Sequence, residues 1–183
     1  SVLKIDRQGK ETLETYWNPE FEQDHSLLYD QVVEGAREAL IHSVKLRLRS
    51  DVPLAFCMSG GIDSNALISI ARRVFDYDVE GFTIGNTDTR YDEMDLVKAS
   101  VKELGIRHTT VPVTTERFLD NLRELVVGHD APVYTITYYA QWMLMARIHA
   151  SGYRISVSGS GADEIFSGYY DHHLAYFYEV AGD

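Results

Sequence analysis

An apolar run that stops at a Ser-Gly-Gly turn and restarts at helical spacing constrains this chain more than any other feature. Leu54-Ala55-Phe56-Cys57-Met58 follows Pro53 and ends at Ser59-Gly60-Gly61, which reads as a buried strand feeding a tight loop. From Ser64 to Arg73 the apolar residues recur at helical spacing, so the loop joins a strand to a helix N-terminus. The first N–H groups of a helix have no intrahelical partner, and the aligned peptide dipoles favour an anion there. Gly60 and Gly61 let the backbone approach a phosphate closely, and the Ser59 and Ser64 hydroxyls can donate to its oxygens. Asp63 would by itself repel that ligand, so its expected role is to hold a Mg²⁺ that the phosphates also bind. Taken alone, the loop equally suits a Gly-rich turn capped by Ser or Asp.

A second loop of the same chemistry tips the balance. Tyr153–Val157 reads as a strand running into Ser158-Gly159-Ser160-Gly161-Ala162-Asp163. Between the two loops, strands are expected at Val79–Gly85 and Arg107–Val113. Helices are expected from about Asp92 to Leu104 with Gly105 as stop, over Thr114–Val127 with Thr114 or Thr115 as cap, and over Thr137–His149. The connecting loops would be Asn86–Arg90 and Gly128–Pro132. Alternation of this kind predicts a doubly wound parallel α/β sheet with helices on both faces and right-handed crossovers. Ligands of such sheets sit beyond the carboxyl ends of the strands, where two loops can face each other. Asp63 and Asp163 could then share one Mg²⁺ with the phosphates of a nucleotide.

The chain has 183 residues, of which 45% are hydrophobic, enough for a full core in one domain. Residues 1–25 are polar apart from Trp17 and a few scattered apolar side chains and read as a linker or docking arm, leaving 26–183 as the domain proper. A long amphipathic helix is expected from Ser26 to Arg49, capped by Ser26 or Asp24, with a stripe running from Leu27 and Leu28 to Val44 and Leu46. The net charge of −11 argues against a nucleic-acid partner. No stretch approaches the roughly 18–20 apolar residues of a membrane span, and no signal peptide is read. The single cysteine, Cys57, excludes an intrachain disulfide and makes a cytoplasmic setting the expectation; within its apolar run it reads as a packed thiol and not a nucleophile. The chain starts at Ser1 and ends in Tyr-rich sequence, which suggests a C-terminally truncated piece of a longer protein. Tyr134, Tyr138, Tyr139, Trp142, Tyr153 and the later tyrosines read as core and interface, which admits a homodimer or a docked domain. Asp171-His172-His173 reads as a polar surface turn.

With both loops in view, the chain resembles the synthetase domain of glutamine-hydrolysing asparagine synthetases, a branch of the N-type ATP pyrophosphatases (PP-loop superfamily). Ser59–Ser64, SGGIDS, is similar to the pyrophosphate loop of that superfamily, and SGSGADEIFSGYY resembles the narrower SGEGxDExFxGY segment. The likeness runs from about Tyr29 to Tyr170 and takes in RLRSDVPLAF, YDEMDLVK and DAPV. It implies an adenine nucleotide alpha-hydrolase-like (HUP-type) fold and the cofactors ATP and Mg²⁺. A carboxylate, aspartate by default, would be adenylated with release of pyrophosphate, and ammonia from a glutaminase domain would then give the amide. The resemblance further implies that Ser59, Gly60, Gly61, Asp63 and Ser64 hold the β- and γ-phosphates and Mg²⁺. It implies that Cys57 and Ile84 line the adenine pocket through backbone groups, that Ser158 and Gly159 lie by the ribose and α-phosphate, and that Asp163 is the second Mg²⁺ ligand. Ser160 stands where the family has Glu. A hydroxyl is no comparable general base at neutral pH, so an amidotransferase acting on another carboxylate, such as a sugar acid, is a second expectation, and a non-catalytic nucleotide-binding module a third. No Lys follows Lys102, so this stretch alone is expected to lack the cation that such synthetases bring over the phosphates.

Overall fold

The computed structural model describes residues 1–19, 24, 26–85 and 92–181. The Asn86–Arg90 loop and the residue-25 boundary lie outside them. The described residues group into two compact units, 1–39 and 40–183.

In the first unit, β1 (Val2–Ile5) and β2 (Glu11–Glu14) form an antiparallel hairpin where the sequence reading expects an arm. Asp6 explains it. Its carboxylate accepts the Gln8 and Lys10 N–H groups at 2.8 and 2.9 Å, and Gly9 turns the chain at φ +82°. Helix α1 (Tyr29–Arg47) begins later than its sequence stripe, with the Asp24 carboxylate accepting the Ser26 N–H just before it. Leu27, Leu28, Val32 and Val33 are exposed, and the buried part of the stripe is centred on Val44.

The second unit is built on a four-stranded parallel sheet in the order β5-β4-β3-β6, made of Arg107–Pro112, Glu80–Gly85, Leu54–Cys57 and Ile155–Val157. Strand β3 is apolar on both faces because both are covered. Leu54, Phe56 and Met58 join a cluster with Ile68, Ala71, Val97 and Leu104. Ala55 joins the other, with Phe82, Leu144, Ile148 and Tyr153. The helices that cover the first cluster are α2 (Ile62–Ser69), the helical turn Ile70–Val74 that continues it, and α3 (Met94–Leu104), and the second is covered by α5 (Thr137–Ala150) through Leu144 and Ile148. Helices therefore cover both faces, as the doubly wound reading requires. Phe56 and Phe82 are completely buried, each worth roughly 1.5–3 kcal/mol of transfer free energy. Gly105 stops α3 in the left-handed region at φ +60°, as its placement predicts.

Two expectations need correction. Helix α4 runs Phe118–His129, starting four residues after the expected cap. The Thr114 carbonyl instead accepts the Tyr139 hydroxyl at 3.4 Å, and a turn from Thr115 stacks Phe118 edge-on against Tyr139 at 4.9 Å. Tertiary packing outweighs the cap preference there. His172 and His173 lie in a helix, α7 (Tyr170–Val180), which follows the short α6 (Ala162–Phe166). Of the aromatic run, Tyr139 and Tyr153 are buried, whereas Tyr134, Tyr138, Tyr169, Tyr170, Tyr176 and Tyr178 are exposed.

Candidate active site

The strand order creates the site. From β3 the chain proceeds outward to β4 and β5 on one side, then returns to place β6 on the other side of β3. Loops leaving neighbouring strands β3 and β6 must diverge at this switch point, which is where open α/β sheets bind ligands. A cleft of about 570 Å³ lies there. Its wall takes Cys57 from β3, Ser59 and Gly61 from its loop, Asp63 and Ser64 from the first turn of α2, and Ile84 from β4. Ser158, Gly159 and Ser160 come from the loop after β6, and Asp163 from the first turn of α6. All the site residues expected from the sequence thus share one cleft except Gly60, which sits in the same loop with its N–H turned to Glu93.

The first loop closes on itself through its serines. The Ser59 N–H donates to Ser64 Oγ at 3.1 Å, the Gly61 N–H donates to Ser59 Oγ at 3.2 Å, and the two hydroxyls lie 3.0 Å apart. Asn65 adds two bonds, its amide donating to the Gly61 and Ser59 carbonyls at 2.7 and 3.0 Å. These bonds tie down loop carbonyls and leave the start of α2 with the unpaired N–H groups of any helix end. Just upstream, the Thr83 hydroxyl donates to the Met58 carbonyl at 2.8 Å and therefore accepts from His108 Nε2, 2.9 Å away. Burial holds the His108 pKa below its ordinary value, so the ring stays neutral there.

The second loop is shaped by close contact. A Cβ on Gly159 would stand 3.0 Å from both Asp63 Cβ and Ser64 N, so glycine lets this loop approach the start of α2 without pushing it back. Gly161 adopts φ +96°, and the Ser158 hydroxyl donates to Ser160 Oγ at 3.1 Å. The Asp163 carboxylate lies against Gly168, where a Cβ would fall 1.7 Å from Oδ1. Ser167, at φ 68° and ψ 155°, occupies a region that is essentially glycine's own.

The ionisable side chains of the cleft wall, Cys57 aside, are Asp63, Glu93 and Asp163, and among the described residues no basic side chain lines it. Such a wall repels a free phosphate and suits one that arrives with a divalent cation. Two carboxylates from separate loops fit Mg²⁺, which takes one or two protein carboxylates and completes its shell with phosphate oxygens and water. Among the described residues no group of three or more His, Cys, Asp and Glu could hold a metal by itself. Cys57 is a thiol: burial pushes its pKa up, against a weaker opposing bond from Ser156. Sequence reading missed Thr83, Glu93 and Gln141, which also line the cleft. For Thr83 and Gln141 the only signal was position, while Glu93 also falls in the YDEMDLVK segment of the resemblance. Thr83 lies near the end of β4, Glu93 just before α3, and Gln141 near the start of α5.

The fold and its paired strand-to-helix loops define a doubly wound α/β domain with an acidic cleft at the switch point. The asparagine synthase family profile matches residues 35–180, and the chain belongs to that family. "Asparagine synthetase [glutamine-hydrolyzing] 1" of Bacillus subtilis is 30% identical over 171 residues, covering 92% of this chain and 26% of the relative. "Asparagine synthetase B [glutamine-hydrolyzing]" of Escherichia coli is 31% identical over 169 residues, covering 83% and 30%. "Amidase chyE" of Penicillium rubens is 28% identical over 180 residues, covering 87% and 26%. The chain thus spans between a quarter and a third of the length of these relatives. Among solved structures, the NH3-dependent NAD synthetase of Campylobacter jejuni aligns with 72% of this chain and 56% of its own at 14% identity, with a TM-score of 0.43.

Proposed function

We propose that the cleft binds Mg-ATP and adenylates a carboxylic acid, releasing pyrophosphate, so that ammonia can then form the amide. The observation that carries this reading is the convergence of the two Ser-Gly loops on one cleft whose charged wall residues are all acidic. In it, the β3 loop and the start of α2 hold the β- and γ-phosphates. Asp63 and Asp163 hold the Mg²⁺, whose contribution is to neutralise the phosphate charge and stabilise departing pyrophosphate. Cys57 and Ile84, at the strand ends, flank the adenine through their backbone groups, with Ser158 and Gly159 beside the ribose and α-phosphate. The substrate carboxylate attacks the α-phosphorus, the bond to pyrophosphate breaks, and the mixed anhydride remains for ammonia. The glutamine-hydrolysing names of two relatives support a glutaminase domain as the ammonia source.

Aspartate is the default acid. A different acid is favoured by one feature, Ser160, whose hydroxyl pairs with that of Ser158 and supplies no carboxylate to the cleft. Ser160→Glu should then raise turnover with aspartate or change the acid preferred. Exchange of labelled pyrophosphate into ATP, run on the full-length protein with Mg²⁺ and a panel of acids including aspartate and sugar acids, tests the reading. Exchange that depends on one of the acids is expected. Nucleotide binding without acid-dependent exchange would point instead to a binding module.

A further inference from the structure

Glu93 reaches the phosphate loop from a third element. Its carboxylate Oε2 accepts the Gly60 N–H at 2.8 Å. Its Cβ lies 2.8 Å, and Leu96 Cδ1 3.1 Å, from where a Gly60 Cβ would stand, so the start of α3 packs directly on the loop backbone. Glu93 is itself fixed. Its carbonyl accepts the Val97 N–H at 3.1 Å in the first turn of α3, and the neighbouring Asp92 carboxylate accepts the Met94 N–H at 3.0 Å. The same side chain lines the cleft beside Asp63.

A backbone N–H in a glycine-rich strand-to-helix loop is the donor a phosphate oxygen uses. One N–H carries one hydrogen, and two anions cannot crowd it without repulsion. Resting on the phosphate-binding reading above, we propose that Glu93 is a positioning residue of the loop. Its carboxylate holds the Gly60 N–H until a phosphate takes that donor, and nucleotide binding thereby releases Glu93 and the start of α3. The loop keeps its shape by exchanging one anion for another. The competition also sets affinity, because a phosphate must displace a charge-assisted hydrogen bond before it gains its own.

Calorimetric titration of the chain with inorganic pyrophosphate and with ATP, with and without Mg²⁺, tests this alongside amide exchange at Gly60. Glu93→Ala should bind pyrophosphate several-fold to about tenfold more tightly than the native chain. The gain should be larger without Mg²⁺, where nothing offsets carboxylate–phosphate repulsion. The Gly60 N–H of the unliganded variant should exchange faster. Glu93→Gln keeps the size and an acceptor but not the charge, and should gain affinity to a smaller degree; it carries the comparison if the alanine variant folds poorly. Unchanged affinity, or weaker binding confined to Mg²⁺-containing buffer, would overturn the inference, the latter by making Glu93 a metal ligand. If neither native chain nor variants bind pyrophosphate or ATP, the nucleotide reading fails and this inference with it. Native binding with no gain in the variants sinks this inference alone.

Discussion

The two Ser-Gly loops share their composition and reach the same cleft by opposite means. The β3 loop is held by hydrogen bonds of its own, between Ser59, Gly61, Ser64 and Asn65, and by Thr83 and His108 behind it. The β6 loop has a single side-chain bond, Ser158 to Ser160, and is placed by close contacts at glycines, Gly159 against α2 and Gly168 against Asp163. One loop is shaped by polar pairing and the other by the absence of side chains. They should therefore break differently.

The largest effect is expected at Gly159. Gly159→Val places a branched side chain where a Cβ already meets Asp63 and Ser64 at 3.0 Å, forcing the loops apart. Overpacking of this kind costs about 1–3 kcal/mol of stability, and a displacement of about 1 Å at a reacting centre costs about 100-fold in rate. Denaturant unfolding and nucleotide titration together should show a modest stability loss beside a near-complete loss of binding. A native affinity in this variant would mean the loops do not act as one site.

Serine removal should separate the loops next. Ser64→Ala leaves the part-buried Ser59 N–H without its acceptor, worth roughly 1–3 kcal/mol. Ser158→Ala removes an exposed bond and should stay within about 0.5 kcal/mol. Equal losses in urea unfolding would erase the contrast.

The smallest effect is a pH dependence confined to the first loop's support. The His108 pKa is lowered in the folded chain by burial, so the unfolded chain binds the proton more readily. Stability supplied by the neutral ring is complete above the ordinary pKa of about 6.5 and declines as pH falls through that value toward the lower folded one. Thermal midpoints measured from pH 7.5 to 5 should fall less steeply in His108→Gln than in the native chain. Identical slopes would show that the ring bears no part of the acid sensitivity.

The parallel sheet and the two loops were legible in the sequence because each depends on local signals: an apolar strand, a glycine turn, a helical stripe; the strand order that makes the switch point was not. Gly105 is a clear case, since its left-handed φ follows from its position after Leu104. What was not legible depends on partners distant in sequence. Glu93 meets Gly60 across 33 positions; its segment YDEMDLVK belongs to the resemblance, but nothing in that segment points to Gly60. Helix α4 starts late because Tyr139 takes the Thr114 carbonyl, a contact no cap rule anticipates. The hairpin at residues 2–14 was marked by Asp6 and Gly9, but the polarity of its surroundings masked the alternation.

The central claim is that Asp63 and Asp163, one from each loop, jointly hold the metal that brings ATP into the cleft. Calorimetric titration of ATP into the native chain, Asp63→Asn and Asp163→Asn, each with and without Mg²⁺, tests it most directly. In the native chain Mg²⁺ should strengthen binding by an order of magnitude or more, since a cation offsets the repulsion between phosphates and an acidic wall. Either substitution should remove most of that Mg²⁺-dependent gain while leaving metal-free binding unchanged or slightly tighter. Native Mg²⁺ dependence retained in both variants would contradict the account.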